Sequence, residues 1–143
     1  MELKIKLLNE QAQVPAYQSK GAACFDIHSL AAGAVPVRNS AVFDTGLAFE
    51  IPEGYALMIY SRSGHGFKSD VRLANCVGVI DSDYRGEVKV KLTNDGAVGY
   101  KVNAGDRIAQ AMLIPVPKVE LMAVTELSDT ERGTGGFGST GNE

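Results

Sequence analysis

Short apolar stretches closed by turn-forming residues recur along the whole chain, and this feature constrains the fold more than any other. Gly, Pro, Asn or Asp stands in nearly every gap, as at residues 51–54 and 93–96, and such residues end strands. No long window shows the apolar period of about 3.6 residues that an amphipathic helix requires. We therefore predict an all-β sandwich, jelly-roll or barrel with at most one short helix, near residues 61–67. The strand-like stretches are residues 3–8, 41–51, 55–60, 88–92, 107–114 and 119–124.

The size and composition are those of one globular domain. The chain has 143 residues, of which 45% are apolar and 22% are charged, enough to bury a substantial core. The N-terminal residues 1–9 alternate apolar and polar side chains, and no later apolar run approaches a membrane-spanning length. A net charge of -3 argues against a surface for duplex nucleic acid, which requires clustered Lys and Arg. We expect a soluble, cytoplasmic protein with neither a membrane nor a duplex as its partner.

Two cysteines and two histidines are the candidate ligands for a transition metal. Cys24 and Cys76 stand among small or apolar residues, which suits buried thiols in a reducing compartment better than a disulfide framework. Together with His28 and His65 they could form a Cys2His2 zinc site, although no closely spaced pair of ligands supports it.

The densest chemistry lies in residues 78–90, GVIDSDYRGEVKV. Strand-like residues flank a turn-like centre, which predicts a β-hairpin with Asp81, Asp83 and Tyr84 at or near its tip. A carboxylate that directly follows an apolar strand can be partly desolvated and still reach a ligand, and the tyrosine ring offers a flat wall beside it. Taken singly, the same two acids would fit an ordinary polar turn.

Polar residues in other parts of the sequence indicate a site that binds an anion. Asp26 stands between Phe25 and Ile27, so on a strand its carboxylate faces away from both neighbours and is either solvated or a ligand. Residues 60–68, YSRSGHGFK, join an apolar strand to a turn where a guanidinium, hydroxyls and backbone N–H groups can converge on an anion. Gln110 is the single polar residue within an otherwise apolar predicted strand. Taken alone, it would be read as an exposed side chain on the outer face of a sheet.

The glycine-rich stretch at residues 132–141, RGTGGFGSTG, has too little apolar mass to pack by itself and should be mobile without a ligand. It contains the pattern G-x-G-x-x-G, but too few residues follow for the helix and strand of a dinucleotide-binding fold, and a Walker A loop would need a lysine. The backbone and the Arg132 side chain suit phosphate oxygens, and Phe137 suits a base or sugar face.

Five stretches of the chain resemble, in order and spacing, the five motifs of the trimeric dUTP pyrophosphatases, the dUTPases. They are residues 22–29, 60–68, 78–90, 104–114 and 132–141. The resemblance runs from about residue 22 to residue 141, and GVIDSDYRGE, GDRIAQ and RGTGGFGSTG carry it most specifically. It implies a distorted jelly-roll or β-sandwich-like barrel of the β-clip type at residues 1–127, with a mobile arm at residues 128–143 that closes the active site. It further implies a homotrimer in which three subunits share each site.

The resemblance also implies an activity, the magnesium-dependent hydrolysis of dUTP to dUMP and pyrophosphate. Such a reaction limits uracil incorporation into DNA and supplies dUMP for dTMP synthesis. By position, Asp81 resembles the carboxylate that orients water for attack on the α-phosphorus, and Tyr84 resembles the ring that packs on the deoxyribose. Asp26 resembles the acid that holds waters around a Mg²⁺ chelated by the triphosphate.

The remaining substrate contacts are carried over by position as well. Arg132 is expected on the γ-phosphate and Phe137 on the uracil ring, while Asn75 and the strand backbone after it would read the base and reject the thymine methyl group. The full set of implied substrate-binding positions is Arg62, Ser63, Gly64, Asn75, Gly78, Val79, Ile80, Tyr84, Lys89, Gln110, Arg132, Phe137, Gly138, Ser139 and Thr140.

Three positions depart from the family pattern. Ser61 stands where proline is common, AACFD at residues 22–26 replaces the usual Ala-Gly-Tyr-Asp, and Asp70 stands where glycine is common. None of them removes a catalytic group, but Asp70 leaves open the path of the loop after Lys68. Relatives that deaminate dCTP share the fold, and the intact run at residues 80–84 together with the complete arm favours the hydrolase.

Two other functions explain part of the sequence. Asp44-Thr45-Gly46 mimics the triplet of aspartic proteases, in which two such carboxylates from a dimer share a proton, although the same triplet also forms a plain turn. A non-enzymatic trimer could instead use its nucleotide-bound state for regulation or assembly, and a regulatory protein partner is compatible with every motif.

Overall fold

In a computed structural model that describes residues 1–137 and 139, strands dominate the chain and one short helix interrupts them. The prediction of an all-β fold with at most one short helix is confirmed. These residues include no helix long and apolar enough to cross a membrane. The elements in chain order are β1 Lys4–Leu7, β2 Phe25–His28, β3 Gly33–Val35, β4 Ser40–Asp44, β5 Leu47–Glu50, β6 Tyr55–Tyr60, α1 Ser63–Ser69, β7 Val71–Leu73, β8 Val77–Ile80, β9 Lys89–Asn94, β10 Tyr100–Val102 and β11 Arg107–Pro115.

Two antiparallel sheets form the body of the fold. The larger has the strand order β2-β11-β6-β8 and the smaller the order β4-β9-β7, while β1 with β5 and β3 with β10 form separate pairs. Both sheets contribute to one apolar core, with Ile27, Leu57 and Ile108 from the larger sheet and Val90 and Leu92 from the smaller. Each of these five side chains is at most 1% exposed, and burial of one such side chain contributes about 1.5–3 kcal/mol.

The apolar stretch at residues 41–51 forms two strands, β4 and β5, so the prediction of one strand is wrong. The break falls at Thr45 and Gly46. Gly46 has a φ of 68°, and a Cβ there would lie 2.8 Å from the Cβ of Ala12, so only glycine fits. The buried Thr45 hydroxyl donates to the backbone carbonyl of Val88. The triplet that mimics an aspartic protease is therefore a structural turn between two strands.

The strand predicted at residues 119–124 is absent. Leu121 is 91% exposed and the nearby Leu127 is 87% exposed. A strand requires a neighbouring strand for its backbone hydrogen bonds, and the described part of this chain supplies none to this segment. The prediction is wrong because composition indicates strand-forming residues but not whether one chain offers them a partner.

Helix α1 lies two residues later than predicted, ends at Ser69 and is capped by Asp70. Asp70 takes the left-handed conformation, with φ 52° and ψ 33°, and its N–H donates to the carbonyl of His65. Its own carbonyl accepts the N–H of Asp95 at 2.9 Å. Glycine adopts such a conformation without strain, and aspartate is among the few other residues that tolerate it. The loop after Lys68 therefore keeps the turn that a glycine would give, with Asp70 under mild strain.

Candidate active site

The prediction of a β-hairpin at residues 78–90 is wrong, because β8 pairs with β6 in the larger sheet whereas β9 pairs with β4 and β7 in the smaller one. The turn predicted between these two strands does form, and side chains hold it in place. Asp81 directly follows β8, and its carbonyl accepts the N–H of Tyr84 at 3.2 Å. The Tyr84 hydroxyl donates to the carbonyl of Glu87 at 3.1 Å. A Cβ at Gly86 would collide with the Tyr84 ring, so glycine allows the ring to fold back over the turn. These contacts fix the orientation of the ring.

A cleft of about 360 Å³ lies along β8 and this turn, and we call it the hairpin cleft after the hairpin predicted there. Small-molecule sites in proteins commonly measure about 300–1,000 Å³. Asp81 also lines a second cleft of about 590 Å³, together with Asp83 and Lys118. Asp81 therefore borders two clefts. The hairpin cleft is lined by Val79, Ile80, Asp81, Tyr84, Glu87, Val88 and Lys89.

Lys89, which was expected to bind substrate, is paired with acids at the rim of the hairpin cleft. Its Nζ lies 2.7 Å from Oδ1 of Asp44 and 3.4 Å from Oε2 of Glu87. The hydrogen bond to Asp44 is the main cause that raises the pKa of Lys89. The same contact gives the Asp44 carboxylate a role in a surface ion pair, which is unlike the shared proton of an aspartic protease.

Asn75 lies at the other end of β8, in the turn that leads into the strand. A Cβ on Gly78 would lie 3.8 Å from the Asn75 side-chain nitrogen and 3.1 Å from the Cβ of Ile59. Glycine at this position therefore lets β8 pack closely on β6, with the Asn75 amide beside it. Because β8 is the edge strand of its sheet in the described chain, part of its backbone N–H and C=O groups faces outward.

The two cysteines differ in exposure. Cys24 is half-buried, and burial followed by the charge of Asp26 raises the pKa of its thiol. Cys76 is exposed in the turn before β8, so the expectation of a buried thiol is wrong there, because its left-handed φ of 63° belongs to a surface turn. Within residues 1–137 and 139, no three His, Cys, Asp or Glu side chains form a group that could hold a metal ion.

Asp26 is buried on β2 and shared by two arginines, a group we call the arginine cluster. The residue is 7% exposed. Nε of Arg62 donates to Oδ1 at 3.0 Å, and Nη1 of Arg107 donates to Oδ2 at 3.1 Å. Two guanidinium groups on one carboxylate leave an excess positive charge and unused N–H donors, which suits an anion such as phosphate.

A β-bulge in β11 brings Arg107 to the cluster. The register of β11 on β2 shifts between Arg107 and Ala109, so Ile108 is an extra residue in the strand. Ala109 is buried in the core, and without the bulge strict alternation would place Arg107 on that same face. Arg107 was not among the predicted site residues, and its only sequence signal was a basic residue in the GDRIAQ motif.

Gln110 shares one face of the larger sheet with two other polar side chains. It lies opposite Asp26 on β2 and opposite Tyr60 on β6, so the three project from the same side. Its side-chain amide donates to the carbonyl of Ser61 at 2.9 Å, and the residue is half-buried rather than exposed. The Ser61 hydroxyl accepts the N–H of Leu73 at 2.9 Å. A proline could not make that contact, which gives this departure from the family pattern a structural role.

Ser63 and Gly64 open helix α1 and are exposed. His65 follows them, and its ring packs on Tyr100 with 5.4 Å between ring centroids. Its Nε2 lies 3.4 Å from Nη1 of Arg62. Burial, followed by the charge of Arg62, lowers the pKa of His65. The only sequence signal for this contact is a spacing of three residues, which places two side chains on one side of a helical turn.

In one chain, Asp81 and Arg62 lie toward opposite ends of β6. Strand β8 pairs antiparallel with β6 and places Ile80 opposite Leu57, whereas Arg62 follows the last residue of β6. Leu57 and Arg62 are five positions apart in nearly extended chain, roughly 16 Å at about 3.3 Å per residue. The hairpin cleft and the arginine cluster are therefore two separate half-sites.

Comparison with known proteins identifies the family. A family model described as dUTPase matches residues 10–141. The chain belongs to the dUTPase family. The deoxyuridine 5'-triphosphate nucleotidohydrolase of Nautilia profundicola is 51% identical to it over 141 residues, 99% of each chain.

Two solved dUTPase structures from phages of Staphylococcus have the same fold. The dUTPase of bacteriophage 80alpha with dUPNHPP has a TM-score of 0.92 at 31% identity, over 98% of both chains. A mutant dUTPase of phage phi11, described as showing the coordination of a structural Mg(II) ion, has a TM-score of 0.81 at 28% identity, over 88% of this chain and 98% of that chain. The predicted jelly-roll fold of the β-clip type is confirmed.

The segment that carries the last dUTPase motif makes only local hydrogen bonds among the described residues. Nε of Arg132 donates to a backbone carbonyl within the same segment at 2.8 Å. Phe137 is fully exposed, with a φ of 49°. Ser139 is exposed as well. Gly138 and Thr140, which were also expected to bind substrate, lie outside the described residues.

The carboxylate that the family pattern assigns to magnesium has both oxygens engaged by arginines. Magnesium at phosphate sites keeps several waters and takes one or two carboxylates together with substrate phosphates. A single carboxylate such as Asp26 does not make a site for an ion held by protein alone. It fits an ion that arrives with a nucleotide and is held through water.

Proposed function

We propose that this chain converts dUTP and water to dUMP and pyrophosphate, with Asp81 as the group that accepts the proton of the attacking water. Membership of the dUTPase family makes the protein a dUTP diphosphatase, and the roles of its residues are our inference from the geometry. The observation that carries them is the position of Asp81, which directly follows an edge strand and lines a cleft walled by Tyr84.

Uracil binds along the outward edge of β8. The base presents alternating donors and acceptors, which the free N–H and C=O groups of residues 78–80, including Val79 and Ile80, match without any side chain. Asn75 supplies an amide beside Gly78, as the 3.8 Å separation supports. Because the strand backbone approaches the base closely, the methyl group of thymine has no room.

The deoxyribose packs on the ring of Tyr84. The hydroxyl of Tyr84 is already bonded to the Glu87 carbonyl, so the ring face, and not the hydroxyl, meets the sugar. A 2′-hydroxyl pressed against that face would be buried without a partner, which costs about 1–3 kcal/mol. This contact therefore selects deoxyribonucleotides.

The phosphates bind to the arginine cluster of a neighbouring copy. Arg62 is only partly exposed and already oriented, so little side-chain freedom is lost when it binds. Ser63 and Gly64 add a hydroxyl and backbone N–H groups at the start of α1, and Gln110 adds an amide from the same sheet face. Lys89, at the rim of the hairpin cleft, contributes a further positive charge near the nucleotide.

Asp26 has a second role, toward magnesium. When bound by the triphosphate, the ion neutralises negative charge and orients the phosphates for displacement. Asp26 would hold the ion's water ligands from the protein side. The two arginines that Asp26 holds would lie beside that ion and the phosphates.

Three copies of the chain form a ring and share each site. A dUTP molecule that reaches both half-sites takes them from different subunits, because one chain holds them apart. The exposed apolar side chains at residues 119–127 support an oligomer as well, since exposed apolar patches mark contact surfaces. A closed threefold ring gives every site one hairpin cleft, one arginine cluster and one C-terminal segment.

The C-terminal segment closes the site. Arg132 binds the γ-phosphate and Phe137 covers the uracil ring, while Gly138, Ser139 and Thr140 contact the phosphates. A phenylalanine ring that is fully exposed without ligand gains apolar contact when it covers a base. Closure excludes water and thereby strengthens each charge interaction inside.

In the reaction, the Asp81 carboxylate takes a proton from the water whose oxygen attacks the α-phosphorus. The bond from the α-phosphorus to the bridging oxygen of the leaving group breaks. The arginines bind the pyrophosphate as it leaves. No side chain acts as a nucleophile. The rate enhancement comes from placement of the water and from neutralised charge.

This activity would limit uracil incorporation into DNA and supply dUMP for dTMP synthesis. The decisive experiment measures pyrophosphate release from dUTP, dCTP, dTTP and UTP at equal concentration with Mg²⁺. We expect dUTP to be preferred by at least about 10²-fold, in line with discrimination at polar sites. Comparable rates on all four nucleotides would contradict base reading by β8, and no release from dUTP would leave the regulatory trimer as the alternative.

A further inference from the structure

The guanidinium of Arg62 is held by three acceptors from three parts of the fold. Nε donates to Oδ1 of Asp26 at 3.0 Å, Nη1 donates to the backbone carbonyl of Arg107 at 3.1 Å, and the same Nη1 lies 3.4 Å from Nε2 of His65. A guanidinium has five N–H groups, and these contacts use the one on Nε and both on Nη1. Among the described residues, Nη2 therefore keeps both of its N–H groups for a ligand.

The ring of His65 is fixed from its other side. It packs on Tyr100 at 5.4 Å between centroids, with the ring planes tilted by 51°. Its Nδ1 is buried and makes no hydrogen bond within residues 1–137 and 139. Because an arginine can only donate, Nε2 must accept, and the proton of the neutral ring must sit on Nδ1.

We propose that His65 is a positioning residue for Arg62: it accepts a hydrogen bond from Nη1 and so turns Nη2 toward the phosphates of the nucleotide. This inference rests on the phosphate role proposed above for Arg62. His65 acts through the guanidinium and does not itself touch the substrate.

The surroundings of His65 favour its neutral form, which the contact requires. Burial is the largest cause that lowers its pKa, and the charge of Arg62 is the next. A proton on Nε2 would turn the acceptor into a donor and place a third positive charge beside two guanidinium groups. Acid therefore releases Arg62 from this contact. The charged and titratable groups that face the ring are Arg62, Asp106, Arg107, Asp26 and Tyr100.

The test compares two substitutions at His65. His65→Leu removes the acceptor, whereas His65→Gln places an amide oxygen near the position of Nε2. We expect His65→Leu to raise KM for dUTP about tenfold, as for loss of one hydrogen bond to a charged group, with kcat nearly unchanged. His65→Gln should restore most of the affinity. Phe67→Leu is the matched control on the same helix, since Phe67 is 94% exposed.

The pH dependence of kcat/KM distinguishes a positioning role of His65 from a purely structural one, which would leave it unchanged. In the unchanged protein, kcat/KM should fall as the ring gains a proton, and because burial and Arg62 lower the pKa of His65, this fall should begin below the ordinary histidine value of about 6.5. The His65→Gln variant has no ionisable ring at this position. The kcat/KM of the unchanged protein divided by that of the variant should therefore fall as the pH drops. Ionisation of the nucleotide phosphates affects both proteins alike and cancels in the ratio. A ratio that stays flat down to the lowest pH at which both proteins remain folded, with nitrogen chemical shifts showing that the His65 ring has gained its proton, would overturn the inference.

Arg62→Ala separates failure of this inference from failure of the proposed function. If Arg62→Ala leaves KM unchanged, the phosphate site itself is wrong, and the role of His65 falls with it. If Arg62→Ala raises KM but His65→Leu does not, only the role of His65 is wrong. In the double variant, His65→Leu should add nothing, because its effect passes through the guanidinium, and additive effects would overturn that route.

One measurement needs no variant at all and stays informative if His65→Leu fails to fold. The nitrogen chemical shifts of His65 in labelled protein report which ring nitrogen carries the proton. We expect the proton on Nδ1 at pH 8, and a proton on Nε2 would overturn the proposal.

Discussion

Nε of Arg62 donates to Oδ1 of Asp26 at 3.0 Å, across 36 positions of the chain. With Arg107 on the other carboxylate oxygen, the pair forms a charged group that is assembled before any ligand arrives. A site for a triphosphate benefits from such order, because arginines that are already held lose little freedom on binding.

Asp26→Asn should lower the free energy of unfolding by about 2 kcal/mol, since two partly buried guanidinium groups lose the carboxylate they share. Urea unfolding at a fixed protein concentration measures this loss. Asp44→Asn is the control, because its exposed ion pair with Lys89 is screened by solvent and should contribute little to stability. Equal losses in the two variants would show that the arginine cluster adds nothing to stability.

Asp81→Asn should keep the fold and nucleotide binding but lose about 10²–10⁴-fold in turnover, because an amide cannot accept the proton of the attacking water. Pyrophosphate release and binding of a non-hydrolysable dUTP analogue check the two parts. Asp83→Asn serves as control, since Asp83 lines only the larger cleft of the hairpin. Turnover that stays near normal in Asp81→Asn would refute the role of Asp81 as base.

Mixed trimers of Asp81→Asn and Arg62→Ala subunits should regain activity that neither variant has alone. Each chain holds its hairpin cleft and arginine cluster apart, so a mixed ring can pair an intact cleft from one subunit with an intact cluster from another. The two variants are refolded together and assayed at the same total concentration as each alone, with light scattering to confirm a trimer. If mixing restores nothing, the sites are not shared in this way.

Asp70→Gly should raise the free energy of unfolding by about 0.5–1 kcal/mol, because glycine takes the left-handed φ of 52° without strain. Gly54→Ala is the matched opposite, with a φ of 81° and no atom within 4 Å of the added Cβ. It should lower stability by about 1 kcal/mol through backbone strain alone. Thermal unfolding of both variants measures the pair, and a stabilising Gly54→Ala would refute the reasoning.

Phe137→Trp should report closure of the C-terminal segment. Its fluorescence should change on addition of a non-hydrolysable dUTP analogue with Mg²⁺, and much less with dUMP, which lacks the γ-phosphate that Arg132 is proposed to hold. The exposed ring of the free state makes a change in environment easy to detect. Equal responses to both ligands would mean that the phosphate contact does not drive closure.

Much of the fold and of the site chemistry could be predicted from the sequence. Alternating apolar residues and turn formers act over a few residues, so most strands and the helix near residues 63–69 were found. The turn with Asp81 and Tyr84 is also local, since it depends on residues that are neighbours in the chain. The hairpin predicted around it is wrong, because β8 and β9 pair with other strands in different sheets. The residue types of the motifs pointed to a nucleotide triphosphate because charge, hydrogen-bond capacity and spacing can be read without coordinates.

Only the tertiary structure decided how those groups meet. The bulge that turns Arg107 out of the core, the ion pair between Asp26 and Arg62, and the separation of the two half-sites all depend on strand register. Register is set by hydrogen bonds and packing between segments far apart in sequence, so no local pattern encodes it. The missing strand at residues 119–124 has the same origin, because a strand exists only where another offers it an edge.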